Sequence, residues 1–298
     1  MLRAILNVIG RLPLRYVHAT GALLGRLVYL VSPKYRRRFK ENLVSAIPQQ
    51  KAILKQAVAE AGKGFLELPT IWFRLTQNVV QLVAEVTGVE YVEAAWREGK
   101  GIIFLTPHLG CFEITPIRYS AHAPITILYR PPRIPALRPL IAGARDKRNI
   151  TLATTDFTGV KKLVSALKRK EAVGILPDQV PSFGEGVWAP FFGRPAYTMT
   201  LVSRLQQMTG ATILLGYAQR LPRGRGYHIH ISPIAPLSGT LEEQARQLNQ
   251  SLENIIRKYP EQYLWGYNRY KVPRGAKKPP KEEDSLPLKA NEVKEREK

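Results

Sequence analysis

The 298-residue chain contains one cysteine, Cys111. That excludes a disulfide-stapled fold and fits a reducing compartment or indifference to redox. No run of about 20 uncharged apolar residues occurs, which excludes a multi-span membrane protein. There is no P-loop, dinucleotide fingerprint or zinc-ligand spacing, so neither metal nor cofactor is expected. No Gly-x-Ser-x-Gly elbow is present, which argues against a serine acyl-enzyme. Acid is scarce: 23 Asp and Glu face 45 Lys and Arg, a net charge of +22. A hydrophobic content of 45% and a charged content of 23% are nevertheless ordinary, so a full core can form and disorder throughout is excluded. A field this positive needs an anionic partner, and nucleic acid and anionic lipid are the two common ones.

The positive charge is unevenly placed. Nine cations (Arg3, Arg11, Arg15, Arg26, Lys34, Arg36, Arg37, Arg38 and Lys40) precede the first acid, Glu41. On a helical wheel the four early arginines fall within about 140° of one another, opposite Leu, Ile, Val, Ala and Tyr. This is the pattern of a basic amphipathic helix in a membrane interface, with packing on the domain or a poor spanning helix as the competing readings. Pro13 divides it into two helical pieces. Arg11 and Arg15 interrupt any signal-peptide core. Residues 1–40 are thus expected to form a membrane-associated basic segment, 41–270 the folded domain, and 271–298, rich in Lys, Glu and Pro, a disordered tail. The tail carries only +3 of the charge.

Residues 50–86 read as helix, with a greasy stretch from Phe65 to Phe73 that suits core or the lining of a groove. From about residue 88 short apolar strands alternate with helices. The strands are 101–105, 125–129, 151–153, 172–176, 211–217 and 227–231. The helices are 112–120, 135–148, 159–170, 198–209 and 240–258. The alternation predicts an α/β fold with a mostly parallel central sheet flanked by helices.

The strand GIIFL ends in Thr-Pro-His-Leu-Gly-Cys-Phe-Glu, residues 106–113. Ligand chemistry in open α/β sheets gathers at the carboxyl ends of strands, and His108 in that place can take a proton near neutral pH. Glu113, on the helix that follows, is expected to turn back to the imidazole and hold its Nδ1 tautomer, with Gly110 permitting the tight path. A loop histidine and a first-turn helix acid are the plain alternatives. Asp178 follows the strand AVGIL directly, as a site residue orienting an arginine or an acceptor, or as a turn residue after Pro177; Gln179 accompanies it. Cys111 reads as a small buried residue rather than a nucleophile. Phe191, Phe192 and Gly193 form a turn with an aromatic wedge, in the core or on a groove wall. His228 and His230 face one side of a strand and are given structural roles. His18 and His122 have no evident partner.

Taken together, SPKYRRRFKENL (32–43), TPHLGCFE (106–113), YRPPR (129–133), GILPDQ (174–179), VWAPFFGRPAYT (187–198) and YPEQYLWGYNRYK (259–271) carry a family resemblance. The chain resembles the lipid A biosynthesis (lauroyl/myristoyl) acyltransferases, a branch of the lysophospholipid acyltransferase superfamily, from its N-terminus to about residue 271. The resemblance implies a glycerolipid acyltransferase-like α/β fold with an amphipathic or membrane-inserted N-terminal helix. It implies acyl–acyl carrier protein as donor and a lipid A precursor as acceptor, at the cytoplasmic face of the inner membrane. It maps the catalytic His-x4-Glu pair onto His108 and Glu113, and a substrate-binding or oxyanion role onto Arg130 and Arg145. Arg133 and Arg138 read as solvated charges. Function is favoured for Asp178 and Gln179. The expected reaction is direct transfer with His108 as general base. Two other readings stand beside it: an acyltransferase acting on a lysophospholipid, ornithine lipid or another glycolipid, and a basic nucleic-acid-binding protein. The second lacks any recognition motif, and nucleic acid is not expected as a partner.

Overall fold

In the computed structural model the described residues are 2–47, 50–132, 138–145, 147 and 149–279. The expected tail from 280 onward, and Arg133, lie outside them. Pro13 separates α1 (Leu2–Arg11) from α2 (Leu14–Val31), as anticipated. Then follow α3 (Pro33–Ala46) and α4 (Gln50–Leu66). The single helix expected over 50–86 is instead α4, the short α5 (Leu68–Phe73) and α6 (Thr76–Val80), and strand β1 (Val83–Thr87). β1 has only five residues and is partly exposed; what makes it a strand is parallel pairing with a segment 140 residues later, which local periodicity does not register.

Next comes α7 (Val89–Arg97), a helix not expected from the sequence, and then the expected alternation: β2 (Ile102–Leu105), α8 (Ile114–Ser120), β3 (Ile125–Tyr129), α9 (Arg138–Arg145), β4 (Ile150–Thr154), α10 (Phe157–Lys168) and β5 (Ala172–Ile175). A hairpin, β6 (Gly186–Phe191) and β7 (Arg194–Met199), precedes α11 (Leu201–Thr209), β8 (Thr212–Arg220), β9 (Tyr227–Pro233) and α12 (Leu241–Ile256). Thr198 belongs to β7 and not to the helix. Phe192 and Gly193 turn the hairpin with φ of 47° and 73°, the left-handed pair that a two-residue connection demands. Phe191 and Phe192 are buried in the core.

The main sheet runs β1-β9-β8-β2-β5-β3-β4, with every pair parallel except β8–β9. Strand residues alternate between two apolar layers. Ile103 and Leu105 face α3, α4, α10, α11 and α12, whereas Ile102 and Phe104 face α7 and α8. The chain leaves β2 toward β3 and β4, returns as β5 beside β2, then crosses to β8 on β2's other side. This reversal makes the carboxyl ends of β2 and β5 the place where a crevice opens.

The N-terminal helices are bound to the domain. α2 buries Leu14, Val17, His18, Gly21 and Gly25 along one face, against α4. A Cβ at Gly21 would stand 2.8 Å from the Cα of Lys63, so the glycines let the two backbones meet. The opposite face of α2 leaves Tyr16, Leu23, Leu27, Leu30 and Val31 exposed, and α1 likewise exposes Ile5, Val8 and Leu12. Domain packing and an outward apolar face thus coexist on one helix. No helix among the described residues is long and apolar enough to cross a membrane, so the expected membrane-inserted helix is not supported.

Candidate active site

β2 and β5 pair in register, Leu105 opposite Ile175. Three residues beyond each lie His108 and Asp178, so the sheet itself delivers them side by side. The Asp178 carboxylate accepts from the His108 backbone N–H through Oδ2 (2.9 Å) and meets the ring Nδ1 through Oδ1 (2.9 Å). Asp178 is almost wholly buried. Burial alone would raise its pKa, but the adjacent His108 and the positive Arg269 prevail and hold it below its ordinary value. An ionised carboxylate can only accept, so Nδ1 carries the proton and Nε2 is left as the basic atom. Nε2 faces the Gln179 amide nitrogen at 3.2 Å. Phe112, with ring centroids 4.5 Å apart, and Tyr267, parallel at 6.5 Å, wall the imidazole.

Glu113 does not turn back to this ring. Its Oε2 accepts from the Trp72 indole N–H (3.0 Å) and from Arg145 Nε (3.2 Å), and its Oε1 accepts from Arg145 Nη2. The cause is the loop path. Gly110 adopts φ of 62°, and a Cβ there would strike the Ala218 carbonyl. Cys111 N–H donates to that same carbonyl (2.8 Å), so the chain is drawn toward β8 before α8 begins. Glu113 then emerges facing α5 and α9. The carboxylate beside His108 is therefore that of Asp178, and Glu113 instead pairs with Arg145, whose guanidinium also lies over the Trp72 and Tyr129 rings.

Two cavities meet here. One, of about 730 Å³, is lined by His108, Gln179, Arg130 and Arg204 among others. The second, of about 290 Å³, runs on the α7–α8 side of the sheet between Phe104, Ile117, Ile127 and Ile229. Trp72, Phe112, Glu113, Leu128, Arg145 and Leu176 line both. The Glu113–Arg145 pair thus stands where the wider chamber, which carries His108 and Arg204 on mainly apolar walls, joins the narrower apolar one. At the far end of the apolar chamber the Trp96 indole N–H donates to the Tyr119 hydroxyl (3.2 Å).

Beneath the loop lies a buried charge network. Arg220 donates to Glu67 through Nε (2.8 Å) and Nη2 (2.7 Å), to Glu60 (3.2 Å) and to the Gly110 carbonyl (2.7 Å). Glu67 also accepts from the Tyr227 hydroxyl and meets His18, which therefore has a partner after all. Burial opposes ionisation of Glu67, yet Arg220 and His18 prevail and set its pKa at about 2. Burial pushes the Cys111 thiol far up, which removes it as a nucleophile.

Of the residues expected at the site, His108, Glu113, Arg130, Arg145 and Gln179 line the chamber, with Arg130 exposed, and Asp178 lies buried against His108. Trp72 lines both cavities, as the groove-lining reading of its stretch allowed, though its bond to Glu113 was not foreseen; Tyr267 and Arg220 were missed, and each reaches the site from a distant part of the chain. His228 and His230 do share a face, with ring centroids 3.8 Å apart. Burial, His228 and Lys258 push His230 down to about 4.

The family model for bacterial lipid A biosynthesis acyltransferases matches residues 1–272. A lipid A biosynthesis lauroyltransferase of Escherichia coli (strain K12) is 26% identical over 277 residues, covering 90% of this chain and 89% of the relative. A lipid A biosynthesis acyltransferase of Haemophilus influenzae is 24% identical over 266 residues, covering 87% and 83%. A lipid A biosynthesis palmitoleoyltransferase of E. coli K12 is 26% identical over 257 residues, covering 83% of each.

Proposed function

Since the chain belongs to the bacterial lipid A biosynthesis acyltransferase family and is an acyltransferase, we propose that it moves a fatty acyl chain from acyl carrier protein to a hydroxyl of a lipid A precursor. The observation that carries this reading is the His108–Asp178 pair at the wider chamber, beside the Glu113–Arg145 pair through which that chamber joins the apolar one. The acyl chain occupies the apolar chamber and its thioester carbonyl lies by Arg145. The acceptor hydroxyl displaces the Gln179 amide from His108 Nε2 and gives its proton to that atom as its oxygen attacks the carbonyl carbon. The oxyanion that develops is met by the Arg145 guanidinium, held in place by Glu113. The C–S bond breaks, and the departing sulfur takes the proton back from Nε2. Asp178 stabilises the intervening imidazolium without taking a proton itself.

The exposed apolar faces of α1 and α2, with Arg3, Arg11, Arg15, Arg26 and the α3 cations beside them, suit contact with an anionic inner-membrane surface from the cytoplasmic side. Each cation near such a surface contributes ~1 kcal/mol. Arg130 at the chamber edge suits a phosphate of the acceptor, which guanidinium binds in bidentate fashion.

The test is transfer from acyl–acyl carrier protein to a tetra-acylated lipid A precursor. His108→Ala should lower turnover by 10² or more while leaving the fold intact. Near wild-type turnover by that variant would refute the site. Unchanged lipid A with altered phospholipid in a deletion strain would refute the acceptor.

A further inference from the structure

The outer part of the 730 Å³ chamber is bounded by α10, α11 and the segment after Gln179. Three large apolar side chains stand in solvent there. Phe157 is 75% exposed, Met208 63% and Phe183 60%. Phe157 and Met208 line the chamber, and Phe183 sits between the lining residues Ser182 and Gly184. Cations surround them. Lys161 lies 4.5 Å over the Phe157 ring, and the next residue, Lys162, is exposed, as is Arg204 on α11. The 273–279 segment passes the Phe183 ring at Gly275, and the Trp188 indole N–H donates to the Lys277 carbonyl (3.2 Å). This brings exposed Arg274, Lys277 and Lys278 to the same side. The acids here, Asp156 and Glu185, are engaged locally, with the backbone N–H groups of Gly159 and Ser182.

We infer that this rim is the docking surface for an acidic carrier protein that presents the acyl thioester on a flexible arm. The inference rests on the donor reading above and adds where that donor binds. A mouth that leads directly to His108 is where such an arm must enter. Exposed Phe and Met among cations match the contact residues of protein interfaces and complement an acidic partner in sign. The face suited to a bilayer is elsewhere, on α1 and α2, where the apolar side chains run in continuous helical rows. A small free donor would draw nothing from the rim.

The experiment compares two donors carrying the same acyl group, acyl carrier protein and acyl-phosphopantetheine, on the full-length enzyme. The variants are Lys161→Glu/Lys162→Glu and, separately, Arg274→Glu/Lys277→Glu. Each double reversal should raise KM for the carrier about tenfold, weaken its salt dependence and leave kcat unchanged. Turnover of acyl-phosphopantetheine should not change. An unchanged carrier KM in both variants overturns the docking surface alone. So does an equal loss with both donors, or loss of binding to phosphatidylglycerol vesicles in place of carrier affinity. A wild-type enzyme that accepts acyl-phosphopantetheine but not the carrier overturns the donor reading itself.

Discussion

The Glu67–Arg220 pair offers a sharp stability prediction. Glu67→Gln keeps the side-chain shape and removes the charge that Arg220 faces through two hydrogen bonds of 2.7 and 2.8 Å. Among the described residues Arg220 would retain one charged partner, Glu60 at 3.2 Å, which Lys63 also engages, and the neutral Gly110 carbonyl at 2.7 Å. Leaving a buried cation so poorly paired costs about 3–5 kcal/mol. For a chain of this size that is a fall in Tm of roughly 5–8 °C. The same pair sets a pH dependence. Arg220 and His18 hold Glu67 at about 2 in the folded protein against an ordinary 4.5. Its folded pKa is the lower one, so its contribution is complete above pH 4.5 and is lost as pH falls from 4.5 toward 2. Urea unfolding of wild type, Glu67→Gln, Arg220→Met and the double variant, between pH 3 and 7, measures both. The double variant should recover much of the loss, because no unpaired charge remains. A single variant within about 1 kcal/mol of wild type, or an unchanged acid slope, would refute the reasoning.

Trp96→Ala opens the far end of the apolar chamber, so the preferred donor should become longer; each methylene that fits is worth ~0.8 kcal/mol, about fourfold in kcat/KM across an acyl-donor panel. An unchanged preference would place the chain elsewhere. Gly62→Leu puts a side chain where the backbones of Gly21 and Gly25 on α2 already touch. It should destabilise by about 1–3 kcal/mol and expose α2 to limited proteolysis; an unaltered cleavage pattern would deny the close packing.

Much of the α/β layout was legible because β2, β3, β5 and β8 are short apolar runs whose burial on both faces leaves a plain signature. β1 and the β6–β7 hairpin were not, since each is defined by its partner strand rather than by its own pattern. The positions of His108 and Asp178 at strand ends were likewise visible, yet their pairing was not. It follows from β2 and β5 being neighbours, a fact of sheet order that 70 residues of intervening chain conceal. Glu113 was assigned to the wrong neighbour because sequence proximity favoured His108, whereas the pull of β8 on Gly110 and Cys111 turns it toward Arg145. The bond from Trp72 to Glu113 and the place of Tyr267 were invisible for the same reason, being contributed by the N-terminal and closing segments, although the Trp72 stretch did read as a groove lining. The N-terminal wheel correctly showed an amphipathic helix but could not show that glycines on its other face dock it to α4.

Turnover of Asp178→Asn and Glu113→Gln, each measured in the wild-type and the Arg145→Ala background, separates the two carboxylates. If Asp178 serves His108, Asp178→Asn lowers kcat by about 10³–10⁴ at neutral pH in the wild-type background and by a similar factor beside Arg145→Ala, because an amide neither holds the Nδ1–H tautomer nor stabilises the imidazolium. Glu113→Gln lowers kcat through a misplaced Arg145 and adds little once Arg145 is replaced. A near wild-type rate for Asp178→Asn, with Glu113→Gln still costly beside Arg145→Ala, would overturn the assignment.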